Sequence, residues 1–499
     1  MVPRLLSQLS HSSTVATTLP AATALPGRAC RCPSSCRDLT ALPRRAHADA
    51  VPRLLVLGGG AAGMSAASAA RRVDSALEIV VLEANGYAAY GMCGLPYYIG
   101  GVVDGAESLL AHPPETFRAD RGLDLRLHTR ATLIDPDRHS VETDHGEQIG
   151  YDALVVAAGA QPTRPPIPGT DHERVFTIRA LEDSIRLRGL IDKGLVRRAL
   201  VVGAGYIGLE TAEALAMHGA EVEVVEALPR ITMSVDTPIS DVVEAELRAH
   251  VHVRLGAAVM ALEPNGDGLV ARLADEDLRD DTIDVDAVVL ATGMRPDSQL
   301  LTTVGADHLP GGAVLVDDQM HTSIPDVFAA GDCVAHRHRI LDAPAWIPLG
   351  PAANKTGRVA GTVAAGGQAT FAGIVGTAVV KVFDLEVART GLSAAEAGPG
   401  ALTCDVVHRS RAKYYPDGHP LHVRLVFEPT GRLLGGQLAG RDGVAKRIDV
   451  LATALYAGLS VADLAELDLS YAPPFAPVYD PVLIAAQRAV ASLPAVSDT

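Results

Sequence analysis

The run Arg53-Leu-Leu-Val-Leu57 leads directly into Gly58-Gly59-Gly60-Ala61-Ala62-Gly63, and this junction decides the fold. Five residues that are mostly apolar and end in glycine read as a short buried strand. The small residues Ala61 to Arg72 read as a helix, and Glu78–Leu82 as a second strand closed by Glu83. In such a unit Gly58 makes the tight turn, Gly60 lets a pyrophosphate approach the backbone, and Gly63 lets helix and strand pack closely. The helix N-terminus favours the phosphate charge, and the acid ending the second strand accepts a hydrogen bond from a ribose hydroxyl.

The same grammar returns about 145 residues later. Ala199–Val202 reads as strand, Gly203-Ala-Gly205-Tyr206-Ile207-Gly208 as turn, Tyr206–His218 as helix, and Glu221–Val225 as a strand followed by Glu226. A lone glycine motif is weak evidence. Strand, helix and acid in place twice predict two dinucleotide sites, hence electron transfer between two dinucleotides. Further buried strands are expected at Tyr151–Val156 and Ala287–Leu290, with strand-to-glycine crossings at Ala158-Gly159 and Gly293. Beyond Gly366 the pattern changes to longer strands, Val375–Phe383 and Leu421–Phe427, then helices near 445–457 and 461–465, as in an α+β unit.

Composition narrows the classes. The chain has 499 residues, 48% hydrophobic and 20% charged, with net charge −16. That is globular composition at a length of several domains. The acidic balance argues against nucleic acid, and 4% aromatics with one Trp argue against single-strand stacking. No apolar run is long enough to span a membrane. Six cysteines, three of them at 30, 32 and 36, are too few for a disulfide scaffold and match no metal-ligand spacing. A reducing compartment, the cytoplasm, follows. Residues 1–50 carry six Arg, no Lys and two acids amid Ser, Thr, Ala and Pro. This is transit-peptide composition, but five prolines disfavour an amphipathic helix, so a disordered extension or a misassigned start is the competing reading.

Thr322-Ser-Ile-Pro-Asp-Val-Phe-Ala-Ala-Gly331-Asp332 is the most specific stretch. With the two cradles, it makes the chain from about Pro52 to Gln487 resemble the FAD-dependent pyridine nucleotide-disulfide oxidoreductases. The resemblance implies two Rossmann-like dinucleotide-binding domains plus a C-terminal α+β dimerisation domain. The boundaries expected are 51–168 and 293–368 for the two parts of an FAD domain, 169–292 for an NAD(P) domain and 369–499 for dimerisation. It implies FAD on Gly58, Gly60, Ala61, Ala62, Gly63, Glu83, Ala158, Gly159, Gly331 and Asp332. NADH, with NADPH as an alternative, would bind Gly203, Gly205, Tyr206, Ile207, Gly208, Glu226 and Gly293.

Members that reduce dithiols carry a C-x-x-x-x-C pair. This chain has the single Cys93 in Tyr90-Gly-Met-Cys93-Gly-Leu-Pro-Tyr-Tyr98, before a segment that can open a helix and so lower the thiol pKa. It therefore resembles the single-cysteine branch, most closely coenzyme A-disulfide reductases. That likeness implies Cys93 as the redox centre, Tyr414 and Tyr471 as groups delivered from the partner subunit of a homodimer, and Arg72 and Arg121 as coenzyme A phosphate ligands. Hydride would pass from NADH to flavin, and two electrons to a disulfide between Cys93 and the substrate thiol. Reductases often show Ser and Asn where this chain has Ala89 and Met92, which weakens the case for coenzyme A. Oxidases and peroxidases of the branch carry His where this chain has Ala61. Persulfide or polysulfide reductases share nearly every motif but often add a rhodanese domain, and the chain reaches Thr499 without one. A flavin-bound electron-transfer partner is the rival from another class.

Overall fold

The computed structural model describes residues 51–231, 234–275 and 280–494. The transit-like segment 1–50, with its three cysteines, lies outside them. Strand Arg53–Leu57 sits at the centre of a five-stranded parallel sheet, flanked by Glu78–Leu82 and Ala153–Val156, with Asp124–Arg126 and Val327–Ala329 at the edges. The second copy repeats the plan. Arg198–Val202 lies between Glu221–Glu226 and Ala287–Leu290, with His252–Leu255 and Val175–Phe176 outside. Both central strands are apolar over their full buried length, as parallel strands covered on two faces must be. Each half also carries a three-stranded antiparallel meander, Ala131–Gly150 in one and Ala257–Val285 in the other. The final unit is a five-stranded antiparallel sheet, Ala378–Val382, Leu385–Gly391, Leu433–Gly440, Pro420–Phe427 and Leu402–Arg409 in spatial order. Helices Val444–Ala457 and Pro481–Ala491 pack on it.

Two Rossmann-like layers and a C-terminal α+β unit are thus present as expected, with small boundary corrections. The first cradle helix runs one residue further, to Val73. The second ends at Met217, with His218 as its cap. The first strand of the last sheet begins at Ala378 rather than Val375 and stops at Val382, because Phe383 adopts φ 52° in the hairpin turn.

One helix pair sets the geometry of the first cradle. Helix Gly350–Ala364 lies against helix Ala61–Val73 so closely that a Cβ on Gly357 would stand 2.1 Å from the Ala62 carbonyl oxygen, and one on Gly361 2.0 Å from that of Ala66. Only glycine permits that backbone approach. The pair carries Gly331 to the first turn, where its own Cβ would meet that of Ala62 at 2.8 Å. Among the described residues, no helix is long and apolar enough to cross a membrane.

Candidate functional site

The two glycine turns are built alike. Gly58 and Gly203 take φ of 103° and 104°, and a Cβ on Gly63 or Gly208 would lie within about 2 Å of the Gly58 or Gly203 carbonyl oxygen. Neither helix start has a side-chain cap or an acid in its first turn, so the first N–H groups of each helix are open to a phosphate. In the first turn the Glu83 carboxylate accepts hydrogen bonds from Gly59 N (2.7 Å) and Asn85 N (2.8 Å). In the second the Glu226 carboxylate accepts from Ala204 N (2.8 Å) and Leu228 N (2.9 Å). The same carboxylate-to-turn arrangement thus repeats in both places. The donor set fits a dinucleotide in each place.

A cavity of about 1400 Å³ opens above the first turn, larger than the roughly 300–1,000 Å³ of an ordinary small-ligand cleft. Gly58, Gly60, Ala61, Ala62, Glu83, Ala158, Gly159, Gly331, Asp332, Cys93, Arg72 and Arg121 all line it. Gly63 lies beneath, packed on Gly58. Gly203, Gly205, Tyr206, Ile207, Gly208 and Glu226 gather at the second turn, outside this cavity. Gly293 (φ 100°) ends the neighbouring crossing, its carbonyl accepting from Thr163 N (2.9 Å).

Cys93 occupies a 3₁₀ turn, Met92–Gly94, ahead of the five-residue helix Leu95–Ile99. Its surface is exposed, but into the cavity, with protein on most sides. The expectation of a lowered thiol pKa is corrected here. Burial raises it, the carboxylates of Glu210 and Asp332 push the same way, and only Arg179 among nearby charges opposes them. A helix of one turn offers too small a dipole to prevail.

That short helix joins the two dinucleotide layers. Tyr97 Oη donates to Glu210 Oε1 (3.2 Å), Arg188 Nη1 donates to Tyr98 O (2.8 Å), and His218 Nε2 meets Ile99 O (2.9 Å). Glu210, on the second cradle helix, is pushed up to about 7, chiefly by burial. Between roughly pH 4.5 and 7 the folded chain therefore holds a proton that the unfolded chain has released. Stability falls as pH rises through that window. Glu210→Gln is expected to flatten this part of the dependence of Tm on pH and to raise Tm at pH 8; thermal unfolding of both proteins from pH 5 to 8 measures it, and an unchanged slope would count against the buried-carboxyl assignment.

Three cavity residues escaped sequence reading. Arg179 donates through Nε to Ala160 O (2.8 Å) and through Nη1 to Met92 Sδ. Lys355 and Arg358, from helix Gly350–Ala364, join Arg72 and Arg121 in the lining. Arg121 donates to Ser68 Oγ (2.6 Å) and lies over Phe117. By contrast Arg71 donates to the loop carbonyls of Arg121 and Gly122, and Arg118 to the strand carbonyl of Leu125. Nothing local in the sequence marks Lys355 or Arg358, since they reach the site only through the helix pair.

Tyr414 and Tyr471 stand far from Cys93 in the chain order of this fold, on loops of the last unit. Their hydroxyls are 3.1 Å apart, and 76% and 45% of their surfaces are exposed. The bond from Tyr414 raises the Tyr471 pKa. Phe475, Val478 and Tyr479, which follow Tyr471 in the chain, are exposed as well. Of the remaining cysteines, Cys333 is buried and held by Val156 O and Ala330 O, and Cys404 lies in the last sheet. No cluster of metal-ligating side chains occurs among the described residues.

Residues 52–368 match the pyridine nucleotide-disulphide oxidoreductase family, and residues 377–481 match its dimerisation domain. The chain is 37% identical over 441 residues to an NAD(P)H coenzyme A polysulfide/persulfide reductase of Pyrococcus horikoshii, covering 87% of this chain and 98% of that one. It is 29% identical over 437 residues to a coenzyme A disulfide reductase of Staphylococcus haemolyticus, covering 85% and 96%. The structure of an NAD-dependent persulfide reductase from A. fulgidus superposes with TM-score 0.83 at 38% identity, over 88% of this chain and 83% of that one. With two dinucleotide cradles, a cysteine at the first of them and matches across both units, this chain belongs to the pyridine nucleotide-disulphide oxidoreductase family and is an enzyme that works with FAD and NAD(P)H.

Proposed function

We propose that the chain, as a homodimer, reduces coenzyme A disulfide at Cys93 with electrons from NADH. The observation that carries this reading is the shared cavity. Cys93 and the first glycine turn open onto the same space as Arg72, Arg121, Lys355 and Arg358. Cations in the same lining as a cysteine suit a substrate with several phosphates and a sulfur at its far end. We propose the divisions 51–168, 169–292, 293–368 and 369–499 for the units that build it, with Gly58, Gly60 to Gly63, Glu83, Ala158, Gly159, Gly331 and Asp332 holding FAD, and Gly203, Gly205 to Gly208, Glu226 and Gly293 holding the nicotinamide dinucleotide.

The Cys93 thiolate attacks one sulfur of the coenzyme A disulfide, forming a mixed disulfide and expelling one coenzyme A thiolate. That thiolate takes a proton from Tyr471, held by Tyr414, both supplied by the other subunit. FAD, when bound, supplies the two-electron relay between NADH and the mixed disulfide. Reductive cleavage would then release the second coenzyme A and return Cys93 as the thiolate that meets the next disulfide. The balance is one disulfide, one NADH and one proton in, two thiols and NAD⁺ out. A second reading places coenzyme A persulfide in the same site. It is favoured by the 37% and 38% identity to proteins named for persulfide reduction, against 28–29% for relatives named coenzyme A disulfide reductase. NADH consumption measured side by side with coenzyme A disulfide, coenzyme A persulfide, polysulfide, peroxide and oxygen tests the proposal; the highest kcat/KM with peroxide or oxygen would overturn it.

NADH should be preferred over NADPH. Glu226 is fixed by two backbone N–H groups where a ribose 2′-hydroxyl would lie, and it repels a 2′-phosphate. Arg230, the cation near enough to compensate, is engaged with Asp241 at 2.7 Å. Repulsion of about 1–4 kcal/mol corresponds to roughly five- to several-hundred-fold in kcat/KM. Steady-state kinetics with each dinucleotide decides it, and a preference for NADPH would mean that Arg230 leaves Asp241 to bind phosphate.

A further inference from the structure

Arg447 is among the largest fully buried side chains in the molecule, at 1% exposure. It stands in the first turn of helix Val444–Ala457, on the unit that carries Tyr414 and Tyr471. Its Nε donates to both Asp480 carboxylate oxygens (3.1 and 3.0 Å) and its Nη1 to Gly443 O (3.0 Å). Its Nη2 donates to Ser410 O (3.1 Å) and Phe475 O (3.4 Å). Those last two carbonyls are the point. Ser410 is the root of the loop that presents Tyr414, four residues on, and Phe475 lies four residues past Tyr471. One nitrogen therefore holds the bases of both tyrosine loops. Ser410 also closes the first loop at its stem, through Ser410 N to His419 O (2.9 Å) and His419 N to Ser410 Oγ (3.1 Å), and Ala412 N donates to Pro473 O (3.3 Å) between the loops. Asp480, 3% exposed, in turn caps helix Pro481–Ala491 through Val482 N (3.0 Å). The Tyr414 ring stands largely in the open and the Tyr471 ring about half so, which leaves their placement to the loops that carry them.

A buried ion pair is a poor device for stability alone, since desolvation consumes most of its attraction and apolar residues of similar volume do as well. What an apolar residue cannot do is bind three carbonyls and a carboxylate with one rigid planar fork. We infer that Arg447, anchored by Asp480, is a positioning residue for catalysis: it sets the registry of the Tyr414 and Tyr471 loops so that the hydroxyl pair reaches the active site of the opposite subunit. This rests on the proposed sharing of the site between subunits. It extends that reading by making a side chain buried in one subunit govern turnover at the Cys93 of the other.

Arg447→Lys keeps the charge opposite Asp480 but loses the fork. The homodimer should retain FAD and its dimeric state, keep its KM for NADH, and lose roughly 10²-fold in kcat for the disulfide, the scale of a 1 Å misplacement. Mixed dimers separate positioning from general damage. A Cys93→Ala chain paired with an Arg447→Lys chain should regain one working site, because the intact tyrosine loops face the intact cysteine. A doubly substituted Cys93→Ala, Arg447→Lys chain paired with a normal chain should not. Equal activity of the two mixed dimers overturns the inference, as does an Arg447→Lys dimer with unchanged kcat. Asp480→Asn should reproduce the pattern; if neither variant yields a flavin-loaded dimer, Arg447 holds the unit together rather than the loops in register, and the inference is again wrong. The same pair of mixed dimers built with Tyr471→Phe tests the parent reading separately. If those obey the crossed pattern and Arg447→Lys does not, the positioning role alone falls.

Discussion

Cys93→Ala is expected to leave a folded, FAD-loaded dimer in which NADH-dependent disulfide reduction falls by roughly 10⁴-fold or more, the scale on which loss of a nucleophile acts. The alanine removes only a sulfur that faces the cavity, so neither the glycine turn nor the helix pair beneath it is disturbed. No other described cysteine can stand in. Cys333 is wholly buried, its thiol pushed up to about 12 and engaged with two carbonyls, and Cys404 belongs to the last sheet. Flavin absorbance should match the normal protein while turnover of coenzyme A disulfide disappears. Undiminished turnover would show that electrons reach the substrate without a cysteine intermediate.

Tyr471→Phe should lower kcat for the disulfide by roughly 10²–10⁴-fold, the usual contribution of a placed general acid, with little change in FAD content. The hydroxyl is half-exposed and bonded only to Tyr414, so its loss leaves no buried group unpaired and costs the fold little. Within the pair, Tyr414 accepts or donates one bond and keeps Tyr471 protonated, a direction set by that bond. Mixing Tyr471→Phe chains with Cys93→Ala chains should restore one site per dimer, giving up to half the normal activity of that species. A mixed dimer as inactive as its two parents would mean that each subunit uses its own tyrosine.

What was legible in the sequence was whatever a local run of residues must do by itself. Gly58 and Gly203 announce their turns because only the left-handed backbone fits there, and Glu83 and Glu226 announce themselves by ending a strand at a fixed distance. Gly331-Asp332 was legible for the same reason, as the end of one strand. What stayed hidden depends on contacts between distant segments. Lys355 and Arg358 reach the cavity only because Gly357 and Gly361 allow two helices to touch. Arg179 follows a strand of two residues, Val175–Phe176, too short to carry a pattern. The sign of the Cys93 shift was misread because a local argument, the helix start, was outweighed by burial and by two carboxylates from other segments, Glu210 and Asp332.

The sheet that holds the first glycine turn is completed by Val327–Ala329, which pairs with Ala153–Val156, and every strand of the second parallel sheet lies between these two in the chain. On a ribosome this order matters. The second parallel sheet can finish once Ala287–Leu290 has emerged, whereas the first must wait with an open edge and an uncovered face on helix Ala61–Val73 until Gly350–Ala364 follows. Domains form as units during synthesis, and an incomplete one exposes apolar surface and unpaired strand. The first cradle therefore reaches its final form late in synthesis, only after the arrival of a helix made some 280 residues after the one it covers.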